Sequence, residues 1–245
     1  MGYSNMFLYR GKDIGGREKL TDTCLRIISE GDADGIMDIL PHIRVLRSPQ
    51  FFQPLVQLLK AGGVEQRSAA AAALGSLGDP SGIPPLREAF LEVRPSRARG
   101  VDPLQAAIIG ALGEIASPEA VRALLDIQQE APQPGNPEDR HRLLLIYALG
   151  ELAQQDVALA ETELIRFLVD SDPPLRSLAV TELALSYWHR PNQISGALLQ
   201  QIFDMTADRS DEVATAAHAA LNSLAQLGCR KAEILIAQLS EEPTA

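Results

Sequence analysis

A chain of 245 residues that is 46% hydrophobic but only 4% aromatic can bury a large core, and it must build that core from Ala, Leu and Ile, which favour closely packed helices. A net charge of -10 and a pI of about 4.9 speak against binding to a phosphate backbone or an anionic membrane surface. Cys24 and Cys229 stand far apart with no CxxC, which gives neither a zinc knuckle nor a redox pair and suits a reducing, cytoplasmic setting. No stretch is apolar enough for a membrane span, the first twelve residues lack the apolar run of a secretory signal, and Met6 stands where myristoylation wants Ser or Thr.

Taken along the chain, residues 1–19 read as an extension and 20–48 as an irregular first helical unit. Residues 52–59 and 67–77 then form a first clear helix pair. The pattern returns at 83–91 with 105–115, at 120–127 with 142–152, at 162–169 with 176–186, and at 197–205 with 214–224. The second members are self-similar. Each carries Leu seven positions after its first residue, as Leu74, Leu112, Leu149, Leu183 and Leu221, at intervals of 38, 37, 34 and 38 residues. Small or apolar residues at the fourth, fifth, eighth and eleventh places of each segment draw one stripe on a 3.6-residue helix. His218 falls within that stripe and is expected on the core side. Gly75, Gly113 and Gly150 follow the Leu in three repeats, a register that predicts close approach of a neighbouring helix.

Turn chemistry supports the boundaries. Asp102-Pro103 and Asp172-Pro173 set an acceptor at the N-cap and Pro at the first helical position. Asp79-Pro80 and Ser117-Pro118 start the next helices in the same manner, and Asp139 and Asp211 hold comparable places. The result is an all-α, right-handed α-solenoid (α-α superhelix) of about five to six helical hairpins, forming one domain over 20–245. Its repeats fall near 51–82, 83–119, 120–158, 161–195 and 196–230, with atypical terminal units at 20–48 and 231–245, the last holding a short helix at 233–240.

These segments resemble the HEAT repeat family, in particular its bacterial phycobilin-lyase-like subtype. That family's second helix runs Asp, two spacers, Val-Arg and then an Ala-rich run to Ala-Leu-Gly. Asp172 to Arg176 has this spacing with Leu175 for Val, Ala148-Leu149-Gly150 closes the third segment, and Arg67 with Ala73-Leu74-Gly75 matches in the first. The resemblance covers about residues 50–240 and implies that the second helices line a concave face. Two roles follow from it. One is a protein-protein interaction scaffold or adaptor, and the alternative is a phycobilin-lyase-like enzyme or chromophore-handling accessory subunit.

If the second helices line the groove, its centre carries Leu144, Tyr147, Leu178 and Leu185 beside Glu114 and Glu151. An apolar centre with an acidic rim suits a protein or peptide partner, such as a basic amphipathic helix. Against that stands the plainer reading that these leucines pack against adjacent repeats. A second candidate surface is the loop at 93–100, where Arg94, Arg97 and Arg99 are flanked by Pro95 and Gly100. The Pro- and Gly-rich run 131–140 is another long loop. Trp188, the only tryptophan, reads as covering a core edge at the end of a helix. No nucleophile elbow, P-loop, dinucleotide-binding glycine motif or HExxH is present, and none of the four histidines precedes Glu, so no catalytic residue, cofactor or metal site is assigned.

Overall fold

The computed structural model describes residues 14–93, 102–130 and 140–241, and every regular element among them is helical. Thirteen α-helices follow in chain order: α1 (Ile14–Glu30), α2 (Ala33–Leu46), α3 (Phe52–Ala61), α4 (Val64–Leu77), α5 (Ile83–Glu92), α6 (Pro103–Glu114), α7 (Pro118–Glu130), α8 (Arg140–Gln154), α9 (Ala158–Phe167), α10 (Pro173–Ser186), α11 (Gly196–Asp204), α12 (Asp211–Gln226) and α13 (Arg230–Glu241). They form six hairpins and a closing helix, an all-α solenoid. The first hairpin is complete and begins at Ile14 rather than Leu20. The closing helix begins three residues earlier than its apolar pattern shows.

Three of the expected caps form, whereas Asp172 precedes α10 without a side-chain cap bond, Asp211 is the first residue of α12 and Asp139 lies outside the described residues. Asp102 accepts a hydrogen bond from the N–H of Leu104 at 2.9 Å, and Asp79 does the same for Ser81 at 2.9 Å. Ser117 Oγ accepts from the N–H of Ala120 at 3.1 Å. Each bond satisfies one of the donors that a helix start leaves open.

Two layers result. The even-numbered helices α2 to α12 stack on one another in succession, while α1, α3, α5, α7 and α9 form the second layer and α11 meets α13. Packing is tighter in the even layer, whose side away from the second layer is the inner face. Small residues make this possible. A Cβ on Gly75 would come within 2.7 Å of the Ala111 Cα, and one on Gly113 within 2.9 Å of the Ala148 Cα. One helix therefore presents Gly to Ala on the next, and backbone meets backbone. The recurring leucines Leu74, Leu112, Leu149, Leu183 and Leu221 are all buried in a continuous core that runs from Cys24 to Ala232.

A second ladder ties repeat to repeat in the turns. Arg67 of α4 pairs with Glu92 of the following repeat at 2.8 Å. Arg142 of α8 pairs with Asp170, and Arg176 of α10 grips Asp208 with two bonds of 3.1 and 2.7 Å. Where Gln105 replaces Arg, its side-chain oxygen meets Nε2 of His141 in the next helix at 3.2 Å. Ala214 holds the Arg position in α12, and no further even helix follows α12 among the described residues.

The same end effect corrects the reading of His218. This residue is exposed, not turned into the core. In α4 and α6 the glycine that meets the following helix lies four residues beyond the position His218 holds, so both places share the forward face. In α12 no further even helix stacks on that face.

Candidate functional site on the inner face

Because each even helix buries its forward and backward sides, one narrow strip of it remains for the groove. At the strip's first level stand Ala72, Gly110, Tyr147, Thr181 and Ala219. Ala72 is half-buried and the other four are exposed. Tyr147 keeps 52% of its surface in water. Leu185 on α10 keeps 39% and Trp188, one turn further on, keeps 51%. Trp188 therefore does not cover a core edge. It stands in the turn just beyond α10, three residues from Leu185, and its N–H donates to the Leu185 carbonyl at 3.0 Å. Glu151 lies one turn from Tyr147 on α8 and is also exposed.

Leu144 and Leu178 behave differently. Both are half-buried and pack against the core, so they support the groove floor more than they project from it. Glu114 is also drawn in. Its Oε2 accepts from Arg44 Nη2 at 2.8 Å and from Ser76 Oγ at 3.0 Å, a bridge that spans three consecutive even helices. The acidic charge at that level is thereby neutralised. Arg94, Arg97 and Arg99 lie outside the described residues.

The end of α10 is braced. Tyr187 is buried, and its hydroxyl donates to Glu161 at 2.7 Å. The Arg190 guanidinium lies 5.4 Å from the Tyr187 ring centre, donates to the Ala153 carbonyl at 3.2 Å and pairs with Asp156. Burial and the bond to Glu161 push the Tyr187 hydroxyl far above its ordinary pKa, so it stays a neutral donor. These contacts hold the adjacent Trp188 at a fixed place on the face.

One residue breaks the packing rule. The position that faces the preceding even helix is Ala73, Ala111, Ala148 and Ala220 in four repeats, but Glu182 in α10. Glu182 is only 5% exposed. Its carboxyl lies directly over Gly150, where a Cβ would sit 2.7 Å from the Glu182 Cδ. The buried Glu163 accepts two bonds of 2.8 Å from Arg166, whereas Glu182 has no hydrogen-bonding or ion-pair partner among the described residues. Burial first, and the neighbouring Glu151 charge second, push its carboxyl up to about 7. The sequence carried this signal in the departure from Ala, and carried Trp188 in its spacing from Leu185. Arg44 had no such mark, because its reach across two helices depends on how the helices stack.

Among the described residues, no three His, Cys, Asp or Glu side chains converge as metal ligands would, and no helix is long and apolar enough to cross a membrane.

Residues 66–92, which span most of α4 and all of α5, match the family model described as the PBS lyase HEAT-like repeat. No curated protein sequence matches the chain. Among solved structures, the chain is similar to an engineered protein at 19% identity, with a TM-score of 0.39, over 91% of this chain and 95% of the other. It is similar also to the complex of CpcE and CpcF of phycocyanin lyase from Nostoc sp. PCC7120, at 16% identity and a TM-score of 0.39, over 91% of this chain and 96% of that one.

Proposed function

We propose that this HEAT-like repeat protein is a single-domain, cytoplasmic scaffold that binds a segment of another protein along the inner face of α8 and α10. One observation carries the reading. Tyr147 on α8, Leu185 on α10 and Trp188 in the turn that closes α10 stay exposed, while the other large apolar residues of these two helices are mostly buried. Aromatic and Leu side chains held in place at the centre of a concave surface are the usual anchors of protein interfaces, because they gain contact area at small entropic cost. The acidic Glu151 beside them favours a segment that combines apolar and basic residues, such as a basic amphipathic helix. The net charge of -10 supports the same sign of partner and speaks against nucleic acid.

A photo-reactive residue placed at Thr181, on the inner strip, is expected to crosslink a discrete partner in the native host. The same residue at Glu88, on the outer layer, is expected to give none. Crosslinks from Glu88 alone would move the interface to the other face. The loop bearing Arg94, Arg97 and Arg99 is the competing surface, and a triple Ala variant that abolishes the Thr181 crosslink would assign it a share.

A second reading, chromophore handling, rests on the match of residues 66–92 to the PBS lyase HEAT-like repeat. It expects a shift in the visible absorbance of a free bilin on mixing with the protein. An unchanged spectrum at protein excess would remove it.

A further inference from the structure

Glu182 occupies the one junction between even helices at which a carboxyl replaces a methyl group. At the two preceding junctions Gly faces Ala, and nothing polar enters. Between α8 and α10 the carboxyl is laid over Gly150, and the absence of a side chain there is what makes room for it. Glu182 is 5% exposed, and a carboxylate drawn almost wholly out of water with no hydrogen bond or ion pair among the described residues loses hydration and gains little in return. It is a poor packing element and a strong receptor for a cation, since an arriving positive charge recovers the lost interaction in a medium of low dielectric. Its surroundings select the kind of cation. Glu151 adjoins it on α8 and bears directly on its charge, which supplies a second carboxylate at the rim. Tyr147 lies one turn from Glu151, and Leu185 lies three residues from Glu182 on α10, both exposed. A carboxyl pair flanked by an aromatic ring and an aliphatic side chain fits a long cationic side chain, whose stem packs on apolar surface while its head reaches charge.

We infer that the junction of α8 and α10 is a receptor for one Lys or Arg side chain of the docked segment, with Glu182 as the deep carboxylate and Glu151 as the outer one. This rests on the inner-face reading given above. It goes beyond it by naming the group that anchors the partner and the two residues that hold it. Binding there carries a proton signature. Near neutral pH the uncharged Glu182 must release its proton when the cation arrives, so association is coupled to proton release.

A 14-residue helical peptide of Leu, Ala and Gln with one central Arg serves as the probe, and the same peptide with citrulline, the uncharged isostere, is its control. Titration calorimetry at pH 6.5 in two buffers of different ionisation heat measures affinity and protons together, and Trp188 fluorescence reports occupancy of the inner face. The full-length protein is expected to prefer the Arg peptide at least tenfold and to release up to one proton per peptide bound. Glu182→Gln should abolish both the preference and the proton release, and Glu151→Gln should reduce the preference about threefold. Thermal melting of both variants shows that they remain folded. A preference that survives Glu182→Gln overturns the receptor while leaving the inner face in place. Binding that is indifferent to Leu185→Ala and Trp188→Ala overturns the inner-face reading itself, and no binding to the unaltered protein overturns both. Suppression of Arg-peptide binding by 1 mM Ca²⁺ at constant ionic strength would make the pair a metal site and overturn the assignment of an organic cation.

Discussion

Gly150 and Glu182 are a matched pair, since the carboxyl of one fills the volume that a side chain on the other would need. Gly150→Ala gains about 1 kcal/mol in helix propensity yet forces Glu182 out of its place. The net effect expected is destabilisation by about 1–3 kcal/mol, as for overpacking in a close-packed interior. In Gly150→Ala combined with Glu182→Ala, the junction becomes Ala against Ala. Urea denaturation of the four proteins should then give a coupling of at least about 1 kcal/mol. Additive losses would mean that the two residues do not share the space.

The same carboxyl predicts an unusual pH dependence. The folded state holds the Glu182 proton up to about 7, above its ordinary 4.5, so between these values the folded chain binds one proton more than the unfolded one. Stability contributed here is present at low pH and is lost as pH rises through that window, about 3 kcal/mol in all from the size of the shift. Asp208 has the opposite sign. The bond from Arg176 holds its carboxyl below the ordinary 3.8, so its contribution is present above that value and lost as pH falls through the lower one. Glu182→Gln should flatten only the slope between pH 4.5 and 7 and raise stability at pH 8, while Asp208→Asn should flatten the acid limb and lower stability above it. Equilibrium unfolding across pH 3 to 8 separates the two.

The turn ladder can be tested at Arg176, which donates to both oxygens of Asp208 and, at 2.9 Å, to the Asp170 carbonyl. Arg176→Ala removes three charge-assisted bonds from a site where both side chains are mostly buried, and a loss of about 2–4 kcal/mol is expected. Arg176→Lys keeps the charge but not the planar fork and should recover less than half of that loss in thermal unfolding.

How far the sequence reaches can be judged residue by residue. The leucine period located the five even helices from α4 to α12 but not α2, because a buried stripe at 3.6-residue spacing leaves a strong pattern only where the repeat is regular. Gly75 and Gly113 also announced the close approach they make. The ladder was harder to read. The motif's spacing does not mark Asp170 as the residue that meets Arg142, where the turn folds back and Asp170 also accepts the Asp172 N–H at 3.0 Å. Periodicity also says nothing about where a stack ends, so His218 looked buried. Leu144 and Leu178 were expected to project into the groove but are half-buried against the core, because the small rotation between one helix and the next is set by packing and not by local pattern.

Depth also decides which substitutions inform on binding and which on folding. Leu149 is fully buried between neighbouring helices, so Leu149→Asp places an unpaired charge in the core. A cost above about 4 kcal/mol is expected, enough to unfold the middle of the stack. Circular dichroism and limited proteolysis would show lost helix content and cleavage near α8. An intact fold would contradict the assignment of α8 to the core.

Leu185 offers the cleaner test of the inner face. Asp at Leu144 or Leu178 would disturb the core these residues pack against, so lost binding there could arise from lost structure. Leu185 is 39% exposed and Trp188 is 51% exposed, and neither closes a cavity when shortened to Ala. Stability should change by no more than about 1 kcal/mol in either variant. Each should nonetheless weaken partner binding by about tenfold or more, the cost of truncating one interface anchor. Glu88→Ala, on the outer layer, serves as the control and should leave binding unchanged. Measured in one titration series with the partner recovered by crosslinking, the inner variants must lose affinity and the outer one must not. Equal affinities across the three would place the interface away from α8 and α10.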